Sequence, residues 1–267
     1  MSTPLTAWVE SVGLLGPGLS DWQAAVEVLA GRAPYAPQPT VIPPLQCLPA
    51  AERRRTGKVV RLALTVGLEA VVRAGADAAT LPAVFASSGG DGENCHEICQ
   101  VLASAERQIS PTRFHNSVHN AASGYWGIAT GATPASNALC AYDASFAAGL
   151  LESLVQLRID ETAVLLIAYD ADYPEPIRSA RPIPDAFGVA LLLTSAAGAG
   201  SLARITARLS VTPADVLRDA RLEALRAQVP AARSLPLLQA LTGAEPRAVV
   251  VDYLEPQRLE IEVSPCH

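Results

Sequence analysis

The sequence predicts a layered α/β domain, a mixed sheet covered by helices. Three observations carry this. Residues 162–169 (TAVLLIAY) and 188–194 (GVALLLT) are apolar at nearly every position, which is the pattern of central strands covered on both faces. Strand-like and helix-like segments alternate along the chain. From Glu52 to Ala74, apolar residues (Val59, Leu62, Ala63, Val66, Leu68, Ala70, Val71) ring most of a helix circumference, so this helix belongs between layers.

The elements follow in order. Trp8 to Leu15 reads as a first strand closed by Gly16-Pro17-Gly18, and Ser20 as the cap of a helix running from Trp22 to Gly31. Pro34 to Pro49 is too rich in proline for a regular element. After the buried helix, Ala83 to Ser87 reads as a short strand. It ends in Ser88-Gly89-Gly90-Asp91-Gly92, a turn that lacks the lysine and hydroxyl of a phosphate-binding loop. Helices are expected over 94–105, 121–130 and 145–156, with a polar loop over 110–120. The small residues of the 145–156 helix allow it to approach a neighbour closely. Leu202 to Leu209 alternates and suits a hairpin partner for 188–194. Thr212-Pro213-Ala214-Asp215 has the form of a helix start, the helix running to Gln228. Residues 248–254 and 258–263 suggest a terminal hairpin.

Composition narrows the function. Half of the 267 residues are hydrophobic and 17% are charged, enough for a large core. A net charge of −6 argues against a nucleic-acid surface. The one basic cluster, Arg53, Arg54, Arg55, Lys58 and Arg61, reads either as a solvated helix start or as a docking surface for an acidic carrier protein. The first residues lack the basic start and apolar run of a leader, and no stretch reaches the roughly 20 apolar residues of a membrane helix. Five cysteines without regular spacing suit reduced thiols in a cytoplasm. Cys95 and Cys99 share a helix face, but His96 points elsewhere and no fourth ligand is evident, so no metal and no cofactor are expected.

The segments WVESVGLLGPGLSDWQAAVEVLAGR, VFASSGGDGE, ISPTRFHNSVHNAASGYWGIATG, FAAGLLE and AVLLIAYD, in that order, resemble the N-terminal half of a β-ketoacyl synthase. They resemble more closely the short β-ketoacyl synthase-like proteins that act as chain length factors in aryl polyene and xanthomonadin-type pigment pathways. SPTRFHNSVHN followed by GYWGIATG is the specific part, since core packing does not dictate that order of polar residues. The resemblance spans roughly residues 5–195. It implies a thiolase-like ketosynthase fold, about one half of a full condensing enzyme. The organisation it suggests is a synthase N-terminal-like domain over 1–210, with residues 211–267 a helix-plus-hairpin extension packed on it. It also implies dimerisation through the edge strand beside the nucleophile loop, with a full-length ketosynthase as heterodimeric partner. An acyl carrier protein would deliver the chain in type II fatty acid or polyketide synthesis.

Cys140 stands in the neighbourhood where such a synthase holds its nucleophile. A thiol at a helix N-terminus is activated by the dipole and by free backbone N–H groups. Counting back from Ala147-Ala148-Gly149, however, the nucleophile falls on Ala141, and counting forward from Gly124 and Gly131 it falls on Asp143. His96, His115 and His119 all precede Cys140, and the next histidine is His267. The expectation is therefore a subunit that is not an enzyme by itself, with Cys140 a buried, inert small hydrophobe. Asp143 reads as a helix cap or as the mark of a degenerate nucleophile position. The alternative is an acyltransferase or condensing enzyme using Cys140. His115 and His119, and likewise Asn116 and Asn120, are spaced i, i+4. They suggest a polar network ordering a loop at a subunit interface. Asp170 and Asp172 read as exposed loop residues.

Overall fold

A computed structural model of the protein describes residues 4–160 and 163–266. β1 (Leu5–Leu15) leads to α1 (Trp22–Leu29), then α2 (Ala50–Arg53), α3 (Lys58–Ala74), β2 (Ala83–Ala86), α4 (Gly92–Ala103), α5 (Pro111–His115) and α6 (Ala121–Thr130). β3 (Ser136–Leu139), α7 (Ser145–Asp160), β4 (Val164–Asp170), α8 (Ile177–Ala180), β5 (Phe187–Thr194) and β6 (Ala203–Ser210) follow. α9 (Ala220–Gln228), α10 (Leu235–Leu241), β7 (Arg247–Asp252) and β8 (Arg258–Pro265) complete the described chain.

The eight strands form one sheet in the order β3-β2-β4-β5-β1-β6-β8-β7. β3, β2 and β4 are parallel, and every other pairing is antiparallel. Side chains alternate faces along each strand. On one face, Val84, Leu166, Leu191 and Val12 join Phe146, Leu150 and Leu154 of α7 and the leucines of α10. On the other, Phe85, Ile167, Ala190 and Leu192 join Leu62, Val66 and Trp126 of α3 and α6. The sheet is thus sandwiched between two helical layers. β4 is buried along its whole length, as a doubly covered strand requires.

Two glycines set the layer spacing. A Cβ on Gly13 would lie 2.0 Å from the Val66 carbonyl oxygen, so β1 lies directly against α3. On Gly149 it would lie 2.8 Å from Ala86 Cβ and Leu166 Cδ1, which explains why α7 opens with small residues.

Several boundaries differ from expectation for local reasons. Asp21, not Ser20, caps α1, because its carboxylate reaches the Ala24 N–H (2.8 Å). The 52–74 helix is two helices, broken before Gly57, which caps α3 in extended conformation. Within 110–120, Pro111 starts the short α5. The strand expected from Thr162 is seen from Val164; Thr162 lies outside the described residues. β6 pairs with β1 and β8, not with β5, because β1 fills the place beside β5. The segment 212–215 is not helical: Asp215 exchanges hydrogen bonds with Val250, and Asp219 caps α9 instead. β3 and α10 went unforeseen. Residues 211–266 supply β7 and β8, which extend the main sheet through β6, and α10, whose leucines enter its core.

Candidate functional site

β3 is the edge of the sheet, and half of it is exposed, so one side of its backbone ladder is unpaired. A groove of about 590 Å³ runs along this edge, lined by His119, Asn120, the β3 residues and Glu152. Hydrogen bonds from Ser136 to Ser123 of α6 and from Asn137 to Glu152 of α7 hold β3 between those helices. Val155 and Ile159 follow Glu152 along α7 and are exposed.

Directly after β3 the chain turns sharply into α7. Tyr142 makes that turn at φ +53°, a left-handed conformation that is an outlier for a bulky residue. The residue is 61% exposed. The Arg181 guanidinium lies 3.8 Å above the ring centroid, within cation–π range. Asp143 accepts from Arg181 (2.7 Å) and from Arg233 (3.0 Å) and caps nothing. Ser145 ties the turn instead, its hydroxyl accepting from the Ala141 N–H and donating to the Tyr142 carbonyl. The ion pairs continue from Arg233 to Asp252, Arg226 and Glu223, so the turn is braced by β7 and α9. The Nε atoms of Arg181 and Arg233 are buried without a hydrogen-bond partner.

Cys140 is exposed rather than buried, because it leaves the end of an edge strand. Its thiol donates to the Ser88 carbonyl (3.2 Å), a bond only the protonated thiol can make. His119 Nε2 donates to the carbonyl of the preceding residue, Ser87 (3.2 Å). The fold thus brings Cys140 and His119, 21 positions apart in the chain, to one turn after β2. The same turn is anchored below by Asp170, which is buried. Its carboxylate accepts from the Ser88 N–H and hydroxyl and from the Ala231 N–H (2.8, 2.6 and 2.9 Å). Burial pushes the Asp170 carboxyl up to about 6, opposed by those hydrogen bonds and by Arg181. Asp172 pairs with Lys58. Neither aspartate is a free loop residue.

The helical spacing of His115, Asn116, His119 and Asn120 is not realised, since α5 ends at His115 and Asn116 is its C-cap. Asn116 is buried, donating to the Arg55 carbonyl (2.7 Å) and accepting from Tyr125 Oη (3.1 Å). His115 is exposed, edge-on to the Tyr125 ring, and Asn120 is exposed at the start of α6. Asn116 and His119 therefore tie 110–120 to three other segments, at Arg55, Tyr125 and Ser87, while His115 and Asn120 stay outside that tie.

A second groove, also about 590 Å³, lies between the α2–α3 junction and α4–α5. Arg54 and Arg61 line it with no ion pair among the described residues, beside Asp91, Glu93 and Glu97, and Arg61 Nε is buried and unbonded. Lys58, by contrast, pairs with Asp172 and Asp185. Among the described residues no cluster of three metal-ligating side chains occurs, and no helix is long and apolar enough to cross a membrane.

Sequence reasoning missed Tyr142, Arg181 and Arg233. Tyr142 carries no signal, because glycine or asparagine would be expected at a left-handed position. The arginines lie 38 and 90 residues beyond Asp143.

The geometry matches known proteins. The family model for the β-ketoacyl synthase N-terminal domain matches residues 22–253. No curated protein matches in sequence. Among solved structures, a chain from the complex of the ketosynthase ApeO with its chain length factor ApeC from Xenorhabdus doucetiae is 25% identical, at a TM-score of 0.74. That match covers 97% of this chain and 99% of the other. The ishigamide ketosynthase/chain length factor (14%, TM-score 0.70) is covered over 98% and 100%. AntDE:AntF, a type II polyketide acyl-carrier protein in complex with its ketosynthase (10%, TM-score 0.76), is covered over 99% and 100%. These last two show the fold alone.

Proposed function

The chain belongs to the β-ketoacyl synthase N-terminal-domain family, and from that premise we propose that it is a non-catalytic chain length factor. On this reading it pairs with a full-length ketosynthase in type II synthesis of an aryl polyene-type chain carried on an acyl carrier protein. The observation that carries the reading is the turn after β3. The two sequence counts put a condensing enzyme's nucleophile on this strand-to-helix turn, at Ala141 or Asp143; neither is a nucleophilic thiol, Tyr142 between them makes the turn, and Asp143 is held between two arginines. Similarity to a chain of a ketosynthase–chain length factor complex supports the same role. The free β3 edge supports the pairing, and the groove holding Arg54 and Arg61 supports an acidic carrier protein as a further partner. Five unpaired thiols support a reducing, cytoplasmic setting.

The test is co-expression with a full-length ketosynthase from the same genome. The expected result is a stable heterodimer whose condensing activity survives Cys140→Ala, with no acyl mass on this chain after incubation with acyl-carrier substrate. A chain that purifies as a monomer indifferent to the synthase overturns the reading.

The alternative, an acyl-accepting Cys140, has one observation in its favour: His119 and Cys140 bond to consecutive carbonyls of one turn. Acylation of Cys140 in the same mass measurement would establish it.

A further inference from the structure

We propose that the Tyr142–Arg181 stack is a pre-formed anchor for the partner ketosynthase, seated at the seam where that partner meets the β3 edge. The inference rests on the pairing proposed above and names the residues that would dominate it.

A left-handed backbone disfavours every residue with a Cβ, and an aromatic one most clearly. Such strain usually survives where burial of the side chain compensates. Here the residue is 61% exposed, so the fold gains little from burying it. The Ser145 hydroxyl and Arg181 hold the turn in this conformation, and strained backbone imposed by its surroundings clusters at functional sites.

The ring is nonetheless immobilised. Arg181 covers one face and is held by Asp143, which Arg233 pairs with in turn. Further ion pairs to Asp252 and Arg226 extend the brace. An exposed aromatic held this way loses little side-chain entropy when a partner closes over it. Tyrosine and arginine are also the residue types enriched at the energetic centres of interfaces.

Position identifies the partner. Tyr142 follows the last residue of β3 by three positions, and a strand added to that edge would run about 4.8 Å from it. The exposed Val155 and Ile159 of α7 lie on the same helix face as Glu152, which is bonded to β3. A protein partner adding to this edge would meet the open strand, the exposed Val155 and Ile159 of the helix bonded to it, and the Tyr–Arg pair on the turn that follows it.

The experiment titrates this chain against the full-length ketosynthase and reads Kd, with the thermal midpoint of the isolated variants as a folding control. Tyr142→Ala is expected to weaken association by about 30-fold or more, the range of an interface hot spot. Tyr142→Phe is expected to stay within about threefold, because it keeps the ring that Arg181 stacks upon. Arg181→Ala should weaken association less than Tyr142→Ala, and no further once Tyr142 is already alanine. Tyr142→Ala that binds like wild type, with an unchanged midpoint, overturns the anchor. So does unchanged association with a shifted product chain length, which would place the ring against the acyl chain instead. Failure of the wild-type chain to bind the ketosynthase overturns the pairing itself and is distinguished by not depending on any variant.

Discussion

Asp170 is where three segments of the chain meet: the end of β4, the Ser87–Ser88 turn and the backbone of Ala231. One carboxylate at the end of β4 satisfies donors from the other two, so replacing it with an amide leaves one donor facing another. Asp170→Asn is expected to cost about 2–3 kcal/mol in urea unfolding, the cost of unpaired buried polar groups. The pH dependence follows from its raised carboxyl. An unperturbed carboxyl titrates near 3.8 and this one near 6, so between those values the folded state holds the extra proton. Its contribution to stability is therefore greatest at acid pH, falls from about pH 4 to 6 and is constant above. The stability difference between wild type and Asp170→Asn should narrow across that window; a difference flat with pH would refute the assignment. This burial has no local signal, because DADYPEP after an apolar strand has the composition of an exposed loop. Cys140 misled in the opposite direction: a lone thiol beside an apolar helix suggests burial, and only its place after an edge strand exposes it.

At the scale of elements, α7 shows how one small side chain determines a layer. Gly149 faces Ala86 and Leu166 across a gap with no room for a methyl group. Gly149→Val should push α7 off β2 and β4, costing about 1–3 kcal/mol by overpacking, read as a lowered thermal midpoint with the fold retained in far-UV circular dichroism. Long, strongly patterned elements were legible: the helix over 121–130, the doubly covered β4 and β5, and the terminal hairpin all stand where their apolar patterns put them. β3 was not. Its four residues, Ser136 to Leu139, are half exposed and carry no apolar alternation, so only pairing with β2 makes them a strand. The i, i+4 spacing of His115 and His119 failed for a comparable reason, since α5 stops after five residues.

Across the whole molecule, charge is unevenly placed. The chain carries a net −6, yet Arg54 and Arg61 line one groove with no ion pair among the described residues. If this groove meets an acidic carrier protein, reversing both charges (R54E with R61E) should slow association roughly tenfold or more at low salt. The loss should shrink as salt screens the pair. Stopped-flow association rates across ionic strength would check it, and rates indifferent to both variant and salt would remove the groove from the docking surface.

The sequence by itself determined the layered α/β class, the buried strands and helix, and the ketosynthase resemblance, because these are written in local patterns of apolar and small residues that repeat over many positions. The tertiary structure alone decided the rest. It placed β3 at an open edge, put Tyr142 on a left-handed turn and closed Arg181 and Arg233 over Asp143. It also gathered Cys140 and His119 at one turn. Each is a meeting of residues far apart in the chain, fixed by strand order and close packing, and no local pattern encodes such a meeting.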